Sequence, residues 1–148
     1  MSTPTKQRIG YVLKRAQHAL RQTMDGSLRP LGLTTPQYAA LAAVEEAPGG
    51  SGAELARHCF VTPQTMNEIV RSLLERGLLV RMGKPHGTKV IPLSLSPRGR
   101  ALLKGAHRAV GDVEQRMLES LNLNARSSLL VALRHCAEAL ERPSPSEE

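Results

Sequence analysis

The chain has 148 residues, 41% of them apolar but only 2% aromatic, and a formal charge of +7 from 20 Lys+Arg against 13 Asp+Glu. That apolar share excludes a disordered chain and suffices for one domain whose core is built from Leu, Val, Ala and Met. No stretch approaches the ~18–20 apolar residues of a spanning helix and no signal-like apolar segment opens the chain, so a cytosolic location is expected; the basic balance points to a polyanionic partner.

From Thr5 to about Leu28, Ile9, Val12, Leu13, Ala16, Leu20 and Met24 recur at helical spacing, with Lys6, Arg8, Lys14, Arg15 and Arg21 off the stripe. Arg29-Pro30-Leu31-Gly32 breaks the pattern. Thr34-Thr35-Pro36 is a hydroxyl-proline helix start, followed by Tyr38, Leu41, Ala42 and Val44 as an inner face. Pro48-Gly49-Gly50 ends that helix, and Ser51 (or Gly52) opens a short third one with Glu54 at capping-box spacing and Ala53, Leu55, Ala56 and Cys59 inward.

Thr62-Pro63 starts the most informative helix. Met66, Ile69, Val70, Leu73 and Leu74 form its apolar back, while Gln64, Thr65, Asn67, Glu68, Arg71 and Ser72 form a front rich in hydrogen-bonding groups. Gly77 supplies the left-handed stop. Leu78-Leu79-Val80, a tip at Gly83-Lys84-Pro85-His86-Gly87 and a returning Val90-Ile91-Pro92-Leu93 then read as a hairpin. A short helix, a tight turn and a second helix with a polar front is the helix-turn-helix arrangement, whose second helix enters the major groove. No carboxylate occurs between Glu75 and Asp112, whereas Arg76, Arg81, Lys84, Lys89, Arg98, Arg100, Lys104 and Arg108 all do, so the excess positive charge sits on and after the hairpin.

Ser96-Pro97 is a third hydroxyl-proline start. Leu102, Leu103, Ala106, Val110, Val113, Met117, Leu118 and Leu121 make a long stripe, and Asn124 is placed to cap a last helix carrying Leu129, Leu130, Leu133, Cys136, Ala137 and Leu140. From Pro143 the chain is a polar tail. The stripes at both ends exceed what a core of one winged helix-turn-helix needs, which predicts a symmetric dimer. Cys59 and Cys136 are expected as buried free thiols. Five scattered histidines, no zinc spacing, no phosphate-binding glycine loop and no nucleophile–base arrangement leave neither a metal, a cofactor nor an enzymatic reaction to propose.

The order of these pieces resembles the multiple-antibiotic-resistance regulator (MarR) family from about Lys6 to Leu140. The resemblance is carried by Leu33-Thr34 with Pro36-Gln37-Tyr38, by Leu73-Leu74-Glu75-Arg76-Gly77-Leu78-Leu79-Val80-Arg81, and by Leu93-Ser94-Leu95-Ser96-Pro97-Arg98-Gly99. It implies a mainly α fold: a winged helix-turn-helix at about 34–97 with a two-stranded wing, flanked by dimerisation helices at about 5–30 and 98–142, with 143–148 a tail. It also implies a homodimeric regulator of a palindromic DNA operator, usually a repressor, released by a small aromatic ligand or, in some members, by cysteine oxidation. The family's acidic-basic wing triplet falls on Gly87-Thr88-Lys89, so the aspartate is absent and Lys89 is the one cation in place. Glu68 stands where a basic residue is common, and could accept from a cytosine amine or pair with Arg71.

DNA contacts are therefore assigned to Thr62, Gln64, Thr65, Asn67, Glu68 and Arg71, with Arg76, Arg81, Lys84, Lys89 and Arg98 at phosphates or in the wing. The family's ligand crevice is sought at Tyr11, His18, Met24 and Tyr38. Glu68 and the altered wing keep a second reading open: a helical interaction module or anti-repressor of the same fold with weak, non-specific DNA binding.

Overall fold

The computed structural model describes residues 3–83 and 92–143. Six helices and one two-stranded sheet follow in the order α1 (Ile9–Leu28), α2 (Thr35–Glu46), α3 (Gly52–His58), α4 (Pro63–Glu75), β1 (Leu79–Arg81), β2 (Leu93–Leu95), α5 (Pro97–Met117) and α6 (Leu123–Glu141). Single 3-10 turns at Thr5–Gln7 and Arg29–Leu31 flank α1. The strands are antiparallel, pairing Leu79 with Leu95 and Arg81 with Leu93. This is the expected mainly α winged helix-turn-helix. The wing tip with Lys84, His86 and Lys89, the expected strand residues Val90 and Ile91, and the tail 144–148 lie outside the described residues. No described helix is long and apolar enough to cross a membrane.

Local chemistry sets the helix starts. Thr34 and Gln37 form a reciprocal capping box at α2, while the Ser51 and Thr62 hydroxyls accept from the backbone N–H of Glu54 and Thr65. At α6 the cap is Asn122, not Asn124: its Oδ1 accepts from Ala125 N at 2.8 Å. Asn122 stands three residues before that donor, the spacing a side-chain cap requires, whereas Asn124 already lies inside the helix.

Three helices end in the same six-residue hydrogen-bonded turn, with a left-handed residue in the middle. After α4, Leu78 N donates to Leu73 O and Gly77 N to Leu74 O, with Gly77 at φ 69°. After α1 and its 3-10 extension, Leu33 N reaches Leu28 O and Gly32 N reaches Arg29 O, with Gly32 also at φ 69°. After α3, Val61 N reaches Ala56 O and Phe60 N reaches Arg57 O, but the left-handed residue is Phe60, at φ 57°.

The chain forms two compact units, Met1–Val113 and Glu114–Glu148. In the first, Leu28, Leu33, Ala40, Leu41, Val44, Leu55, Ala56, Met66, Leu73, Leu78, Leu79, Leu93, Leu95, Leu103 and Ala106 form one buried cluster. Ala53, expected inward, is exposed; Leu55 and Ala56 carry the inner face of α3. Met66, Val70 and Leu73 fix the back of α4, each burial contributing about 1.5–3 kcal/mol. The α1 stripe behaves differently: Ile9, Val12 and Leu13 are exposed and only Leu28 is buried. In the second unit, Arg126 holds the turn before α6, donating to the Leu121 and Leu118 carbonyls and to Gln115. Leu123, Leu129, Leu130, Val131, Leu133 and Leu140 of α6 are all exposed.

Candidate nucleic-acid interface

With its back locked into the core, α4 has only one face to offer. Gln64, Asn67, Glu68 and Arg71 stand at positions i, i+3, i+4 and i+7 along that face, and all are exposed. Among the described residues none of the four has a hydrogen-bond or ion-pair partner. Of the two roles open to Glu68, the pair with Arg71 is thus not formed, and the carboxylate stands available on the same face as the guanidinium. Thr62 and Thr65 are partly engaged, since the Thr62 hydroxyl caps the helix at 3.1 Å and donates to Thr65 Oγ1 at 3.0 Å. A shallow groove beside this face is lined by Ser51 and Gly52 of the α3 start, Pro63, Asn67 and Arg71 of α4, and Arg81 of β1. It brings three of the assigned residues, Asn67, Arg71 and Arg81, around one concavity with two cations. Such a concavity suits a sugar-phosphate strand.

Two assigned cations have structural duties. Arg76 is half-buried, and its Nη1 donates to Gly32 O at 2.8 Å, fastening the end of α4 to the turn after α1. Arg98, exposed at the start of α5, donates in turn to Arg76 O at 3.2 Å. Ser96 completes this junction: its hydroxyl donates to Gly77 O at 2.6 Å and accepts from Gly99 N at 2.9 Å.

An exposed polar helix front on an apolar back, followed by an antiparallel wing, is the geometry of a duplex reader. Comparison with known proteins decides the family. Residues 31–87 match the MarR family. The HTH-type transcriptional repressor Rv2887 of Mycobacterium tuberculosis is 41% identical over 113 residues, covering 76% of this chain and 81% of the repressor. The chain belongs to the MarR family. Among solved structures, the MarR family protein Rv2887 of Mycobacterium tuberculosis in complex with DNA superposes with a TM-score of 0.71 at 34% identity, covering 95% of this chain and 100% of that one. The same protein with salicylic acid gives 0.74 at 36% identity, covering 91% and 97%.

The four residues at which a MarR-type ligand crevice is expected do not converge within one chain. Tyr11 and Met24 are separated by 13 residues of continuous helix, about 20 Å along α1. Tyr11 and His18 are exposed, and Met24 is half-buried. Tyr38 is half-buried, and its hydroxyl meets His107 Nδ1 at 2.9 Å, the rings edge-to-face with centroids 5.5 Å apart. His107 Nε2 meets Glu45 Oε1 at 2.9 Å. One tautomer, with the proton on Nε2, serves both contacts and links α2 to α5.

Sequence reasoning passed over His107 because its partners lie 62 and 69 residues away. It also missed Asp25, whose carboxylate accepts from the Thr35 hydroxyl and backbone N–H and from Arg21. These bonds, the Thr35 hydroxyl first, hold the Asp25 carboxyl below its ordinary value. The Arg21–Asp25 spacing of four was a visible signal; Thr35 was not. The thiols also depart from expectation: Cys59 is half-buried and Cys136 exposed. Cys59 follows the last residue of α3 beside the solvent-facing turn, and the exposed α6 stripe leaves Cys136 uncovered. Burial pushes the Cys59 thiol up, which disfavours the reactive thiolate. Among the described residues no group of His, Cys, Asp or Glu is placed to hold a metal ion.

Proposed function

We propose that this chain is a homodimeric transcriptional repressor that binds a palindromic DNA operator and is released by a small aromatic ligand. The observation that carries the reading is α4: Met66, Val70 and Leu73 bury its back, leaving Gln64, Asn67, Glu68 and Arg71 exposed at the front with no partner among the described residues. Asn and Gln match adenine, and Arg matches guanine. The DNA and salicylic acid complexes of a 34–36% identical relative support both halves of the reading. The exposed apolar residues of α1 and of α6 support the dimer: helices at about 5–30 and 98–142 bury them against a second copy, while 34–97 reads DNA. Tyr11, His18, Met24 and Tyr38 then line a ligand crevice that needs residues of both copies. Arg81, Lys84, Lys89 and Arg98 serve the wing and nearby phosphates.

The deciding experiment is an anisotropy titration of the full chain against duplex from the region upstream of its own gene, with scrambled duplex as control. Specific binding that salicylate reverses is the expected result. Equal, weak binding to both duplexes would instead favour the interaction-module reading that unpaired Glu68 keeps open.

A further inference from the structure

Phe60 is the chain's only phenylalanine, and it occupies the one described non-glycine position with positive φ. The two equivalent helix-ending turns in this chain use Gly32 and Gly77, which adopt φ 69° without steric opposition from a Cβ. A phenylalanine at φ 57° is strained, and strain of this kind is retained where the side chain serves a purpose that the fold does not. The ring does nothing for the core, being 93% exposed. It lies two residues before the cap Thr62, at the entry to α4, in a shallow depression it shares with Arg57, His58 and Glu54.

We infer that Phe60 is a DNA-contacting residue, its ring resting on the apolar surface of the operator, a thymine methyl or a deoxyribose face, beside the entry point of α4. The inference rests on the repressor reading above. A residue that adjoins the groove-entering end of α4 is carried to the duplex with it; on the preceding helix Arg57 and His58 flank the ring together with the acid Glu54, so place rather than net charge names the partner. Apolar contact with the thymine methyl is an established mode of base reading, and burial of even part of a phenyl ring against DNA gives a measurable gain.

The test compares the full-length chain with Phe60→Gly by thermal unfolding and by anisotropy titration on the operator duplex. Glycine removes both ring and strain, so Tm rises by about 3 °C. Operator affinity falls roughly tenfold. Loss of binding by a more stable protein cannot be ascribed to misfolding. A second arm replaces thymidine with deoxyuridine across the half-site. If the wild type loses affinity at one step and Phe60→Gly does not, the ring sits on a methyl group; if substitution affects neither protein, the ring sits on deoxyribose. Unchanged operator affinity in Phe60→Gly overturns the inference, as does a change in its oligomeric state, which would assign the ring to a protein contact. A wild-type chain that binds no duplex specifically overturns instead the repressor reading beneath it.

Discussion

Gly99 shows how one missing methyl group organises this molecule. A Cβ at that position would stand 2.0 Å from the Leu78 carbonyl oxygen, a backbone atom already accepting from Ser96 N and unable to swing aside. Gly99→Ala is therefore expected to lose roughly 2–4 kcal/mol or fail to fold, as measured by urea unfolding; a shift within error would disprove the close approach. Asp25 sets a pH dependence of known sign. Its folded carboxyl is lowered from 3.8, so the stabilisation is fully present above that value and disappears as pH falls through the lower folded one. The stability difference between wild type and Asp25→Asn should be constant above about pH 5 and shrink below pH 4. Urea titrations across that range check it. The sequence made Gly99 visible as the end of a stretch that carries the family resemblance, but its reason, a carbonyl 21 positions earlier, appears only once the chain is folded. The same holds for His107 with Tyr38 and Glu45, since no local spacing encodes contacts more than 60 residues apart.

At the scale of the element, α4 was the most legible part of the chain. Its start at Pro63, its buried side and its stop at Gly77 follow from capping, a period of 3.6 and the left-handed preference of glycine. Its electrostatics were less so, because an acid and an arginine three apart can pair or stay separate, and here they stay separate. On the proposed reading face, a Glu68 carboxylate left apart from Arg71 would repel the phosphates that Arg71 attracts. Replacing it with glutamine should raise non-specific duplex affinity several-fold and narrow the gap between operator and random DNA, readable in parallel titrations. Equal affinities for wild type and Glu68→Gln would place the carboxylate away from DNA. The two end helices were legible as amphipathic, and their surplus stripes pointed to a second copy as the cover, but an apolar stripe does not name which residues meet across it.

For the whole molecule, those stripes make the dimer the next quantity to measure. Leu130 is 52% exposed near the middle of α6, and Leu130→Glu should leave a monomer at micromolar concentration in sedimentation velocity, with operator binding lost because two half-sites are no longer addressed together. A persistent dimer would put the interface elsewhere. If Arg71, Arg81 and Arg98 of each copy neutralise phosphates as proposed, log affinity against log salt should have a slope of about −5. The Arg76 clamp bears on how such a dimer could be switched off. Because Arg76 grips Gly32 and is itself held by Arg98, α4 is bolted to the bend after α1 and to the root of α5 at its far end. A reading head fixed in this way is poorly suited to release by melting. If it moves as one lever with its two neighbours, an inducer would have to act on the gauge between the two heads of the dimer, like widening the track beneath an unchanged pair of wheels. Amide exchange in α4 should accordingly stay constant when inducer binds, while the tolerated spacing between operator half-sites shifts.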